Sequence, residues 1–332
     1  MPPGSPLGRV VEIAEEGRHL AKERGFLVVQ AGREELGRIP LDDIAALIAT
    51  ARGTSLTTAL IAALAERGTP VVLCGGNFAP AALVFPLAGH HAQQRRMEAQ
   101  LEATRPLAKR LWAKVVSAKL RAQAAALEAA GQPGGALLRL ARTVRSGDPG
   151  NAEAQGARRY WPLLMGEGFR RDPALPGANA LLNYGYAVLR AGVARAVCAA
   201  GLHPSLGIFH RHPRNPLPLA DDLMEPFRPL IDAEVCAMVS EGHAEVDTAA
   251  KRRLAALLAE DLPTAAGTSP LATCLVRCAA SLAESYLSGV PALEFPHLQA
   301  EGSDVIPESD EPLGLSDHVD VRDVRPAGGD EA

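Results

Sequence analysis

No stretch of this chain of 332 residues reaches the roughly 18 consecutive apolar residues that a membrane span needs, although 47% of the residues are hydrophobic. That content suffices for a real core, and the length fits one large or two ordinary domains. The opening residues, MPPGSPLGRVVEIAEEG, lack a basic segment followed by an apolar block, so we expect no secretion signal, no membrane association and a cytoplasmic location. Cysteine is too sparse for a disulfide framework. Cys74, Cys198, Cys236, Cys274 and Cys278 are odd in number and lie in apolar runs such as VVLCG and ARAVCAAG, as reduced core thiols do. Cys274 and Cys278 stand one helical turn apart, yet no second cysteine pair or nearby histidine completes a zinc set. No internal repeat is present.

The net charge is only −4, and it is unevenly spread. Residues 301–332 carry ten acidic and two basic side chains, a sum of −8, which leaves +4 on residues 1–300. This tail has no apolar period and reads as disordered; an acidic segment of that kind can also shield a basic surface from polyanions.

Along the chain, short β-like runs (VVEIA, GFLVVQ, TPVVLCG, ALVFPL) bounded by glycine or proline fill the first 86 residues. One helix interrupts them, LTTALIAALAER, with Ser55 as the expected N-cap and Gly68 at its end. The strands suit a sandwich or an open α/β sheet equally. From Gln93 onward, Ala-, Leu-, Arg- and Gln-rich runs favour helix. The expected organisation is α+β: a β-rich domain over 1–86, a linker at 87–92, a larger all-helical domain over 93–298 and the acidic tail at 299–332. Breaks at GQPGG, SGDPGN, RRDPALPG and HRHPRNPLP leave loops where functional side chains can gather.

Several segments carry candidate chemistry. Residues 93–123 place Arg95, Arg96, Arg105, Lys109, Arg110, Lys114, Lys119 and Arg121 around an apolar stripe, which suits either a solvated face or phosphate contact. In GDPGNAEAQGARRYWPLL, Glu153 falls in the first turn of a helix, where a carboxylate favours the dipole, and Arg158, Arg159, Tyr160 and Trp161 come after it. In GANALLNYGYAVLRAG, Asn179, Asn183, Tyr186 and Arg190 share one helical edge, forming either cross-helix hydrogen bonds or the wall of a site. In SLGIFHRHPRNPLPLADDLMEPFRPLID, Asp222 and Glu225 have capping-box spacing, but Pro226 and Pro229 move the helix start later and leave Glu225 poorly explained as a cap. Two carboxylates joined by the imidazole of His210 make a hard, oxygen-rich set suited to Mg²⁺ or Mn²⁺. Taken singly, Glu153, His210 and Glu225 are each also explained as structural residues.

In joint order, GRVVEIAEEGRHL, GRIPLDDIAALI, GTPVVLCGGNFAPAALVFPLAGHHAQ, LWAKVVSAKLRAQA, NAEAQGARRYWPLL, ANALLNYGYAVLR, GLHPSLGIFHRH and DDLMEPFRPLID resemble the CRISPR-associated protein Cas one. This is the spacer-acquisition integrase, here most like the type II branch that accompanies RNA-guided effector nucleases. The resemblance runs over about residues 8–295. It implies an N-terminal β-sandwich-like domain and a helical C-terminal domain, assembled as homodimers around the small partner Cas two. It also implies a divalent-ion site at Glu153, His210 and Glu225, with Asn179, Asn183, Tyr186 and Asp222 supporting it or touching DNA, and Arg95, Lys114 and Arg158 on the DNA backbone. Gly156 departs from the family pattern as a flexible residue inside the expected helix.

The implied chemistry is transesterification, in which a prespacer 3′-hydroxyl attacks a phosphodiester of the CRISPR repeat in double-stranded DNA. Two rivals stay open: a metal-dependent endonuclease on branched DNA, and a non-catalytic DNA-binding scaffold in which the same residues cap helices.

Overall fold

The computed structural model describes residues 9–51, 53–74, 80–84, 92–210, 215–264 and 267–296. The acidic tail and all of the expected linker except Ala92 lie outside them.

Eight strands and one helix come first: β1 Arg9–Ile13, β2 Arg18–Glu23, β3 Phe26–Ala31, β4 Glu34–Pro40, β5 Ile44–Ala49, β6 Ser55–Leu56, α1 Thr58–Glu66, β7 Val71–Cys74 and β8 Pro80–Val84. They form two four-stranded sheets, ordered β1-β5-β7-β8 and β4-β3-β2-β6. In the first sheet β1, β5 and β7 are parallel and β8 is antiparallel to β7. The second pairs β2, β3 and β4 antiparallel, with β6 parallel to β2. Val11, Leu47 and Val71 from one sheet meet Leu20 and Leu27 from the other, and Leu60 and Leu64 of α1 complete this small core. The open choice between sandwich and α/β sheet thus resolves as two sheets sharing one core.

The helix starts two residues later than expected. Thr57, not Ser55, is the N-cap: its Oγ1 accepts the Leu60 N–H at 3.3 Å. Ser55 belongs to β6, where its hydroxyl meets His19 Nδ1 at 2.7 Å, so pairing with β2 takes it out of the helix. Gly68 ends the segment at φ +67°, the left-handed region that favours glycine.

Beyond Ala92 come α2 Gln93–Leu101, α3 Arg105–Ala129, α4 Gly135–Thr143, α5 Ala152–Met165, α6 Ala178–Ala199, α7 Pro218–Met224, α8 Arg228–Ser240, α9 Thr248–Ala256 and α10 Leu271–Ser288. The region is mostly helical rather than all helical. An antiparallel ribbon, β9 Asp261–Thr264 and β10 Gly267–Pro270, separates α9 from α10 because DLPT and GTSP hold prolines that a helix interior rejects. No described helix is long and apolar enough to cross a membrane.

The middle strands of the first sheet, β5 and β7, are covered on both faces. Leu47 and Val71 point into the small core, whereas their neighbours Ile48 and Val72 join the large helical core around α3 and α6. Strands and helices are therefore one packing unit. Polar bonds add to this: Glu12 of β1 accepts from Thr50 Oγ1 at 2.9 Å, Lys251 Nζ of α9 at 2.9 Å and the Tyr184 hydroxyl of α6 at 2.6 Å.

Inside the helical core, Asp232 of α8 accepts hydrogen bonds from the hydroxyls of Tyr160 on α5, at 3.0 Å, and Tyr186 on α6. Burial pushes its carboxyl up to about 7 despite both donors. A raised carboxyl binds its proton more tightly folded than unfolded, so its contribution to stability is complete below the unfolded value and is lost as pH climbs through the folded one. Relative to Asp232→Asn, the native protein should therefore lose thermal stability between about pH 4 and pH 7. Melting curves of the pair at several pH values check this; a constant difference contradicts it.

Candidate functional site

Three elements bring the site together. The first is the start of α5. The turn GDPGN places Asp148 and Asn151 at φ +47° and +52°, and the Asp148 carboxylate accepts the N–H groups of Ala152 at 2.8 Å and Glu153 at 3.1 Å. Asp148 thus caps the helix, and Glu153 keeps the first-turn place its spacing predicts. Gly156, one turn on, faces α3: a Cβ there would lie 2.2 Å from Leu120 Cδ2, a fully buried side chain. The missing side chain is what lets α5 pack this closely on α3.

The second element is the junction of α7 and α8. α7 begins at Pro218, so Asp222 lies inside it and the expected capping box does not form. Pro218 takes the first helical position, where a missing N–H costs nothing. Asp222 is fully buried and turns instead to the preceding loop, accepting from the N–H groups of Phe209 at 2.8 Å and His210 at 3.3 Å and meeting His210 Nδ1 at 2.5 Å. Glu225 opens a 3₁₀ turn, Glu225–Phe227, between the two helices. Its Oε1 pairs with Arg228 Nη1 at 3.1 Å.

The third element is α3, which presents Lys119. Its Nζ lies 2.7 Å from Glu153 Oε1 and 2.6 Å from Glu225 Oε2. Its sequence neighbourhood groups Lys119 with a phosphate-facing surface; its side chain is only 12% exposed and is turned inward. Burial works against the ammonium, and the charges of Glu225 and Glu153 more than reverse this, leaving its pKa raised. The pairing signal is present in the sequence: Lys119 stands three and four residues after Val116 and Val115, on the buried stripe of the helix.

His210 is half exposed. Its hydrogen bond with Asp222 lifts the imidazole above its usual 6.5, burial opposes this, and the charges of Asp222, Glu153 and Glu225 add to the rise. Both glutamates are thus within electrostatic reach of the ring. With Nδ1 on Asp222, Nε2 is left to act as a ligand or base. The ring stands edge-on to Trp112, centroids 5.1 Å apart, and Phe209 stacks on Trp112 at 4.5 Å.

The remaining predicted residues divide. Tyr186 carries the Arg228 guanidinium over its ring at 5.1 Å, linking Glu225 to Asp232. Asn179 and Asn183 are engaged with the loop before α6: their Oδ1 atoms accept from Arg171 at 3.0 and 2.7 Å, and their amides donate to the carbonyls of Arg170 and Pro173. They fasten the loop between α5 and α6. Arg95, Lys114 and Arg158 are exposed, and Lys114 also donates to the Leu293 carbonyl at 3.2 Å.

Among the described residues, no three His, Cys, Asp or Glu side chains stand close enough to hold an ion as they are. The donors nevertheless suit one. Glu225 Oε2 is buried without an aligned hydrogen bond, although the ammonium is 2.6 Å away, and two carboxylates plus one imidazole are the donor types of a Mg²⁺ or Mn²⁺ site.

Residues 11–264 match the family model described as CRISPR associated protein Cas1. The CRISPR-associated endonuclease Cas1 of Neisseria meningitidis serogroup C (strain 8013) is 40% identical over 237 residues, covering 71% of this chain and 77% of that protein. Among solved structures, a casposase bound to integration product superposes with a TM-score of 0.73 at 19% identity, over 88% of this chain and 94% of that one. A Cas6-RT-Cas1–Cas2 complex gives 0.68 at 18% identity, over 87% of this chain and 36% of that one. At these identities the two structural likenesses concern the fold.

Two substitutions check the geometry. Asp222→Asn removes the carboxylate that lifts His210, so the imidazole should titrate at lower pH, as read from the His210 ring protons by NMR. Gly156→Ala forces a methyl against Leu120 and should cost about 1–3 kcal/mol in denaturant unfolding, the usual range for overpacking a filled core.

Proposed function

The chain belongs to the Cas1 family of CRISPR-associated proteins, and from that premise we propose that it is a divalent-metal-dependent DNA integrase of CRISPR adaptation. In this reading it joins prespacer 3′-hydroxyl ends to phosphodiesters of the CRISPR repeat. The observation that carries the reading is the meeting of Glu153 and Glu225 at one cation position, with His210 within electrostatic reach of both.

Glu153, His210 Nε2 and Glu225 would hold Mg²⁺ or Mn²⁺, and a bound ion supplies Lewis-acid polarisation of a phosphoryl oxygen and favours the alkoxide of the attacking hydroxyl. The protein's own part is positional. Asp222 keeps the His210 ring fixed through Nδ1, so that the Nε2 lone pair is directed rather than free to rotate. Arg228 anchors one oxygen of Glu225, leaving the other for a cation. The start of α5 aims Glu153 across α3. Exposed Arg95, Lys114 and Arg158 draw the phosphate backbone toward the site with a salt-dependent attraction. In the transfer itself the 3′-hydroxyl gives up its proton and forms a new P–O bond as the repeat's own P–O bond breaks, and the displaced sugar oxygen leaves and takes up a proton, so phosphodiesters are exchanged without hydrolysis.

The partners in this reading are duplex DNA, a second copy of the chain, the small protein Cas2 and, for a type II system, the RNA-guided effector nuclease. The similar chain solved in a Cas6-RT-Cas1–Cas2 complex and the fold shared with a casposase on its integration product support the first and third of these.

The test is strand transfer of a 3′-hydroxyl duplex into a supercoiled plasmid carrying the repeat, with Mg²⁺ or Mn²⁺. Glu153→Ala, His210→Ala and Glu225→Ala should each reduce joining by at least about 100-fold, the scale of losing a group that stabilises transition-state charge. Undiminished joining in all three would refute the assignment. Shortened strands without joined ones would mark an endonuclease on branched DNA, and salt-sensitive binding with neither product would mark a scaffold.

A further inference from the structure

The two carboxylates proposed as metal ligands already share a cation that belongs to the protein. Lys119 rises from the middle of α3, a helix packed along its length, and reaches Glu153 and Glu225 at 2.7 and 2.6 Å. Those oxygens are therefore no more than the sum of the two distances, 5.3 Å, apart. Two carboxylates that close, one of them buried, repel strongly wherever the local dielectric is low. The ammonium cancels that repulsion. With Arg228 on the other oxygen of Glu225, the group of two acids and two bases is electrically balanced with no ion added.

This balance sets a condition on metal entry. Mg²⁺ binds oxygen at about 2.0–2.1 Å, closer than the ammonium does, and two cations on one pair of carboxylate oxygens repel each other, so the ion and Lys119 compete for them. The spacing also explains why the ligands form no ready cage: they are set for an ammonium. A divalent ion must turn Lys119 away from at least one glutamate, and the released ammonium needs a new anionic partner. A DNA phosphodiester beside the site is an anion of the right kind.

Resting on the metal-site reading above, we propose that Lys119 is a built-in competitor of the divalent ion that couples metal binding to DNA binding. It closes the site while DNA is absent and passes from carboxylate to phosphate when both ligands arrive. Coupling of this kind is reciprocal, so DNA tightens metal binding by the factor by which metal tightens DNA binding. Lys119 is thereby a positioning residue, and replacing a mere spectator ammonium would leave the linkage between metal and DNA unchanged.

The experiment is calorimetric titration of Mn²⁺ into the full chain, alone and with a short duplex whose 3′ ends are dideoxy-terminated so that no joining takes place. In the native protein DNA should raise Mn²⁺ affinity at least about fivefold, the lower end of ordinary coupling. Lys119→Met should bind Mn²⁺ at least about fivefold more tightly than the native protein without DNA, and DNA should then raise that affinity by a smaller factor than it does in the native protein. Lys119→Arg, which keeps the charge, should stay weak in the free form. Because Lys119→Met leaves two acids facing each other, its melting temperature without metal should fall and Mn²⁺ should restore it. Unchanged or weaker Mn²⁺ affinity in free Lys119→Met, undiminished coupling, or a fall in stability that Mn²⁺ does not restore would each overturn the proposal. The underlying reading is checked apart from it: Mn²⁺ binding that survives Glu153→Ala and Glu225→Ala would put the ion elsewhere and remove the metal site itself.

Discussion

One ammonium between two carboxylates organises the centre of this molecule. For Lys119 to touch both Glu153 and Glu225, α3, the first turn of α5 and the junction of α7 with α8 must converge within a few ångströms. Each achieves this by a different local device. On α5, Asp148 satisfies the first N–H groups and Gly156 removes the side chain that would hold the helices apart. At the junction, Pro218 starts one helix and a 3₁₀ turn at Glu225 breaks the register before the next, so that Glu225 faces inward while Asp222 faces the histidine loop.

Around that point the polar groups form a chain. Glu225 leads to Arg228, Arg228 lies over Tyr186, and Tyr186 and Tyr160 both end on Asp232. Every link is buried or half buried, so each group depends on its neighbour for the interactions that water would otherwise supply. On the open side stands His210, half exposed and held from below by the buried Asp222. Glu153, Glu225 and His210 thus have rigid backing on one side and access on the other, as positioned chemistry requires.

The sequence made much of this legible, for identifiable reasons. Glu153 was placeable because Gly-Asp-Pro-Gly-Asn can only be a turn, and the apolar-periodic residues directly after such a turn open a helix. The strands with apolar runs, β1, β3, β7 and β8, announced themselves. β2 and β4 did not, since RHLAKE and EELGRIP carry charge on largely open surfaces, and the alanine-rich IAALIA of β5 suits a helix as readily as a strand. Asp222 misled because its spacing to Glu225 imitates a capping box, whereas its partners come from a loop twelve and thirteen residues earlier in the chain. Lys119 misled in the opposite way: counted with its basic neighbours it looked solvent-facing, and only its register against Val115 and Val116 told otherwise. Long-range pairing of charges leaves no local mark, so such residues are found by asking which charged groups lie on an apolar stripe.

The middle strands of the first sheet, β5 and β7, are packed on both sides. One side of β5 and β7 packs toward the partner sheet through Leu47 and Val71, and the other supplies Ile48 and Val72 to the helices, while Glu12 clasps α6 and α9 from the sheet's edge strand. Cutting the polypeptide between its strand-rich and helix-rich halves would strip an oily wall from each piece and part Glu12 from Lys251 and Tyr184. The seam is accordingly a shared wall: each half completes a surface that the other leaves apolar.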